Sequence, residues 1–109
     1  MAYDTELAHR VRHALAVAGV DAVEQAMFGG LALMVRGHMT VGVLGDDLIV
    51  RVGPDGYEDA LASPGARPMD FTGRPMTGMV FVAATNLDDA ALGAWVRRGL
   101  TFTSSLPPK

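Results

Sequence analysis

A chain of 109 residues, half of them apolar and 19% charged, is long enough for one modest core and too apolar to stay disordered. Its net charge is −3, its one lysine is Lys109, and its arginines are dispersed except at Arg97-Arg98, so a dedicated phosphate-binding surface, which needs clustered cations, is not expected. There is no cysteine for a disulfide, a thiolate nucleophile or a Cys-ligated zinc, and no apolar run reaches the ~20 residues of a membrane span.

The opening Met1–Glu6 is polar and acidic. It lacks the basic-then-apolar pattern of a signal peptide, so a cytoplasmic location is the expectation. Residues 4–18 predict an amphipathic helix, capped by Asp4 or Thr5 and stopped by Gly19. Leu7, Val11, Ala14, Leu15 and Ala18 share one of its faces. A short strand follows from Val23 to Met27, then a turn at Phe28-Gly29-Gly30. Leu31–Arg36, Met39–Leu44 and Asp47–Val52 read as three strands. The hairpin-length turns between them, Gly37-His38 and Gly45-Asp46, make them antiparallel neighbours. Pro54–Ser63 predicts a short helix with Tyr57, Leu61 and Ala62 as its apolar face. Arg67–Thr72 and Met76–Ala84 form a further strand pair around Gly73. Asn86 then caps a final helix from Leu87 to Ser104, lined on one side by Leu92, Trp95, Val96, Gly99 and Phe102, and Pro107-Pro108 ends the ordered chain.

Hairpin-joined strands with helices outside them define an α+β fold: a two-layer sandwich, an antiparallel sheet with helices packed on it. Alternation puts Leu31, Leu33, Val35, Met39, Val41 and Val43 on core faces. The opposite positions Ala32, Met34, Leu44, Ile49, Val80 and Val82 are apolar too, whereas a sheet with one wet face alternates cleanly with polar residues. Something should therefore cover the second face. A second copy of the chain, as a symmetric homodimer, is the simplest cover.

Few residues suggest chemistry. His9 and His13 have the i, i+4 spacing of a metal pair, but they project away from the Leu7–Val11–Leu15 stripe, and a solvated face is the stronger reading. His38 falls at a hairpin tip, where exposure is expected. Asp46-Asp47 suits a turn, and Asp88-Asp89 the first turn of a helix. Ser63, Ser104 and Ser105 have no nucleophile-elbow context. No catalytic residue, metal or cofactor is expected, and the chain reads as non-enzymatic. Arg51, Arg67 and Arg74 can converge on an anion, with Asp70 orienting one of them; separate surface ion pairs are the favoured alternative.

Several segments recur in a recognisable order: Met27-Phe28-Gly29-Gly30, the run DLIVRVGP from Asp47 to Pro54, the helix around Tyr57, the run RPMDFTGRPM from Arg67 to Met76, and Ala94-Trp95-Val96. At these distances they resemble the N-terminal domain of the TfoX/Sxy family of competence regulators. The resemblance runs from Asp4 to Pro108 and implies one domain over 1–109. Its fold would be similar to that of secretion chaperones. It implies a small regulatory module working by protein association, in the setting of transcriptional regulation, and it supplies no catalytic residues. Longer relatives add a C-terminal domain for which residues 1–109 leave no room, so a competence role that needs it is not expected. The expected partners, from the sheet faces and the charge together with the resemblance, are a second copy and an unnamed protein, with neither direct nucleic-acid binding nor a membrane. The alternative is a small-molecule or anion-binding protein, or an enzyme accessory, using the Arg51/Arg67/Arg74 region.

Overall fold

In a computed structural model, which describes residues 3–27, 29–69 and 77–107, Asp4 opens the first helix, α1 (Thr5–Val17). Its carboxylate accepts the N–H groups of Glu6 and Leu7 at 2.9 and 3.2 Å, two donors that the helix itself cannot satisfy. Four strands follow: β1 (Val23–Met27), β2 (Gly30–Val35), β3 (His38–Leu44) and β4 (Asp47–Arg51). Then come α2 (Tyr57–Leu61), β5 (Ala66–Pro68), β6 (Met79–Ala83), a 3-10 turn over Ala84–Asn86, and α3 (Asp89–Ser104). The strands form one open antiparallel sheet in the order β1-β2-β3-β4-β6-β5. The three helices cover one face of it, which gives the expected α+β sandwich. The tip of the expected hairpin around Gly73 lies outside the described residues.

Three local expectations change. The β2–β3 turn is Arg36-Gly37, with both residues at positive φ (52° and 84°), the geometry whose twist matches the flanking strands. His38 therefore pairs with Val35 as the first residue of β3, and it is buried instead of exposed at a tip. Helix α2 starts at Tyr57 rather than Pro54. Helix α3 starts at Asp89, not Leu87. Its cap is Asp88, whose carboxylate accepts the Ala91 N–H at 2.7 Å, because the chain first makes the 3-10 turn.

The strand phase also differs from simple alternation. Leu33 pairs with Val41 but Met34 pairs with Met39, so Thr40 is an extra residue in β3. This bulge directs both Thr40 and Val41 to the helix side and sends Met39 to the other. Val41 and Val43 join the helix-side core, with Leu33, Leu48 and Val50 and with Leu7, Val11, Leu15, Leu92, Trp95 and Val96 from the helices. Val80 and Val82, expected on the second face, also belong to this core; Met79 and Phe81 alternate with them onto the second face.

That second face carries its own cluster: Ala32, Met39, Ile49, Met69, Met79 and Phe81. All six are buried within the single chain, so the centre of this face is already covered. Its margin beside β1 is open, with Met27, Met34 and Leu44 half-buried and Val23, opposite Met34, 70% exposed.

The two layers come closest where α3 crosses the bulge. A Cβ at Gly99 would lie 2.8 Å from the Thr40 carbonyl oxygen and 3.2 Å from its Cγ2. The Thr103 hydroxyl lies 3.1 Å from the Gly99 carbonyl and 3.0 Å from the Thr40 hydroxyl, which in turn is 3.3 Å from the His38 carbonyl, so the two hydroxyls form a buried relay between helix and strand. Gly99→Ala should therefore destabilise the protein: overpacking costs about 1–3 kcal/mol, against a helix-propensity gain of up to about 1 kcal/mol. Thr103→Val should lose about 1 kcal/mol by removing the relay. Both should lower the urea midpoint at unchanged slope.

Candidate functional site

The arginines proposed as an anion site do not converge where they are described. Arg51, at the end of β4, places its guanidinium carbon 5.4 Å from the centre of the Phe102 ring on α3. Arg67 on β5 reaches the opposite end of β4, where its two terminal nitrogens donate to the two Asp47 oxygens at 3.2 and 2.5 Å. It also lies 5.0 Å from the centre of the Phe81 ring. Asp47 and Arg51 are separated by roughly 13 Å of extended strand, so these guanidinium groups hold different neighbours at different ends. Asp70 and Arg74 lie outside the described residues.

A concavity lies instead between α1 and α3. This groove of about 620 Å³ is lined on one side by His9, Arg10, His13, Ala14 and Val17, and on the other by Asp89, Leu92, Gly93, Val96 and Arg97. Arg10 bridges its end, donating to the Leu87 carbonyl at 2.7 Å and to Asp89 at 3.2 Å. His9 and His13 are exposed on the α1 lip, as their spacing against the core stripe predicts. Among the described residues no three His, Asp or Glu side chains gather to hold a metal. The adjacent arginines on α3 behave differently. Arg98 stacks on Trp95 at 4.7 Å and donates to the Ser63 hydroxyl at 3.1 Å. Arg97 is exposed, with no ion-pair partner among the described residues.

His38 has a structural role. Its Nε2 lies 2.5 Å from the Pro107 carbonyl, so that nitrogen carries the proton and donates. The buried Nδ1 has no partner among the described residues. Together with Arg36, whose guanidinium donates to the Thr103 carbonyl at 3.2 Å, His38 ties the end of α3 and the tail to the β2–β3 hairpin.

The edge strand β1 is a different kind of surface. Residues 23–26 are exposed, on both faces of the strand. Arg12 of α1 donates Nε and Nη2 to the Glu24 carboxylate at 2.6 and 2.8 Å. These bonds hold the Glu24 carboxyl below its ordinary range and push Arg12 up.

By class, this is a small domain with an open six-stranded antiparallel sheet and one layer of helices, with a concavity between helices and an exposed edge strand β1. The model of the TfoX N-terminal domain matches residues 15–103, and the chain belongs to that family. No curated protein and no solved structure matches it. No helix among the described residues is long and apolar enough to cross a membrane.

Because the Glu24 carboxyl is lowered by folding, its stabilising contribution is fully present above the unfolded value, about 4.3, and is lost as pH falls through the lower folded value. The pair is exposed, so the contribution should stay below about 1 kcal/mol. Glu24→Gln should therefore lower the urea midpoint slightly at neutral pH and converge with the parent in acid. Equal differences at both pH values would contradict this assignment.

Proposed function

We propose that the chain is a small non-catalytic regulatory module that works by association, and that β1 is the edge through which it associates. The observation that carries this reading is the exposure of β1 on both faces at the end of the sheet. Edge strands are usually guarded by proline, lysine, a bulge or a covering element. β1 has no proline, no lysine and no bulge, and its one charge, Glu24, is turned to α1 and matched by Arg12. Its outer backbone groups can take an added strand. The resemblance to competence regulators supports the regulatory half of the reading.

The partner is a second copy. A two-fold axis through Gln25 sets Gln25 opposite Gln25, Glu24 opposite Ala26, and Val23 opposite Met27. No like charges meet, and the apolar residues face one another. The added strand continues the sheet beside β1 and sets its Met27 next to the exposed Val23. Light scattering at micromolar concentration should give a mass about twice 11.5 kDa. Gln25→Glu, which places like charges on the axis, should shift the equilibrium to monomer, most strongly at low salt. A parent protein that is monomeric at all concentrations, or a dimer indifferent to Gln25→Glu, would sink this interface.

Duplex DNA is not the partner in this reading. Arg10, Arg12 and Arg67 already hold carboxylates, so phosphate contacts would break existing pairs. Fluorescence anisotropy at physiological salt should show binding weaker than about micromolar. Tight, salt-sensitive binding would overturn this expectation.

A further inference from the structure

Three features that folding does not require meet in the groove between α1 and α3. Val17 is 75% exposed, the most exposed large apolar side chain described. Gly93 stands inside α3, where glycine weakens a helix. At Gly99 the close approach of Thr40 explains the glycine. Among the described residues, a Cβ at Gly93 would meet the Arg97 Nη1 alone, at 3.3 Å. The missing side chain thus makes room for a guanidinium, not for a backbone. Arg97 is the third feature: it lies across Gly93 with no acid to match it among the described residues, whereas Arg10 at the groove's end is neutralised by Asp89.

We propose that this groove binds a small amphipathic anion, an acid group on an apolar body. Arg97 receives the acid group, with imidazole N–H donors of His9 and His13 along the facing lip. Ala14, Val17 and Leu92 receive the body. The volume, about 620 Å³, lies within the range of roughly 300–1,000 Å³ typical of small-molecule sites. Arg97, which has no ion-pair partner among the described residues, selects an anion over a neutral ligand. The exposed valine gains from burial against an apolar body and offers nothing to a fully polar one.

The probe is anilinonaphthalene sulfonate, an aromatic body with one acid group, followed by fluorescence. Its neutral counterpart is N-phenylnaphthylamine. Octanoate should displace the sulfonate, and octanol should compete less well. Arg97→Gln should weaken the anionic probe about tenfold and leave the neutral one nearly unchanged. Gly93→Leu should fill the groove and weaken both. Gly93→Ala is the folding control: its one neighbour among the described residues is the movable end of Arg97, so melting should occur at a higher temperature than in the parent. If Gly93→Leu does not fold, Arg97→Gln still decides, because its side chain is exposed. The proposal fails if the anionic probe does not bind, if Arg97→Gln leaves its affinity unchanged, or if octanol displaces it as well as octanoate. Repeating the titration on Gln25→Glu separates this site from self-association, since a monomer should retain it.

Discussion

The contact on which the rest of the structure depends is the crossing of α3 over the bulge in β3. Gly99 lets the helix backbone approach Thr40 to a distance no side chain would permit. The Thr40–Thr103 hydroxyl pair fixes the helix along its axis. Once that crossing is set, one face of α3 is committed to the core through Leu92, Trp95 and Val96. Phe102 then falls against Gly53, Arg98 against Trp95, and Gly93 and Arg97 toward α1. The groove is thus what remains between two helices whose positions are decided by the sheet.

Three of the arginines tie one element to another. Arg10 links α1 to the start of α3, Arg12 links α1 to β1, and Arg67 links β5 to β4. Each pair joins two different elements, and each is solvent-exposed enough to add little to stability. Their effect is orientation: the guanidinium forks dock onto carboxylates presented at element ends. Arg51 and Arg98 are held instead by aromatic rings of α3. An arginine count from the chain therefore overstates the positive charge available to a partner.

Much of the architecture was legible in the residues. The bounds of β1 and the Gly45-Asp46 turn follow from local pattern, and Asp4 is the cap its chemistry suggests. What was not legible depends on distant contacts. The Thr40 bulge leaves no trace in hydropathy, because Met39, Val41 and their neighbours are apolar in either phase. His38 looks like a tip residue until Pro107 arrives to accept its hydrogen bond. Asn86 and Asp88 are both able caps, and the 3-10 turn between strand and helix decides between them. Spacing left open whether Arg51, Arg67 and Arg74 would converge or pair separately, and it could not show that Asp47 and Phe102 would engage two of them at opposite ends of β4. The groove carried weak signals of its own: a glycine inside a helix, an adjacent arginine pair, and histidines one turn apart.

Helix α1 connects the two surfaces singled out above, and its sequence separates them. Leu7, Val11 and Leu15 form the stripe that packs on the sheet. His9, His13 and Val17 descend one flank at intervals of four and line the groove beside α3. Arg12 leaves by the other flank and grips Glu24 of β1. A ligand against the first flank and a strand added beyond β1 occupy different sides of one rigid element, so neither excludes the other sterically. Because the stripe between them is buried almost completely, α1 cannot roll toward one surface without withdrawing apolar side chains from the core. The core thus holds both surfaces in fixed relation.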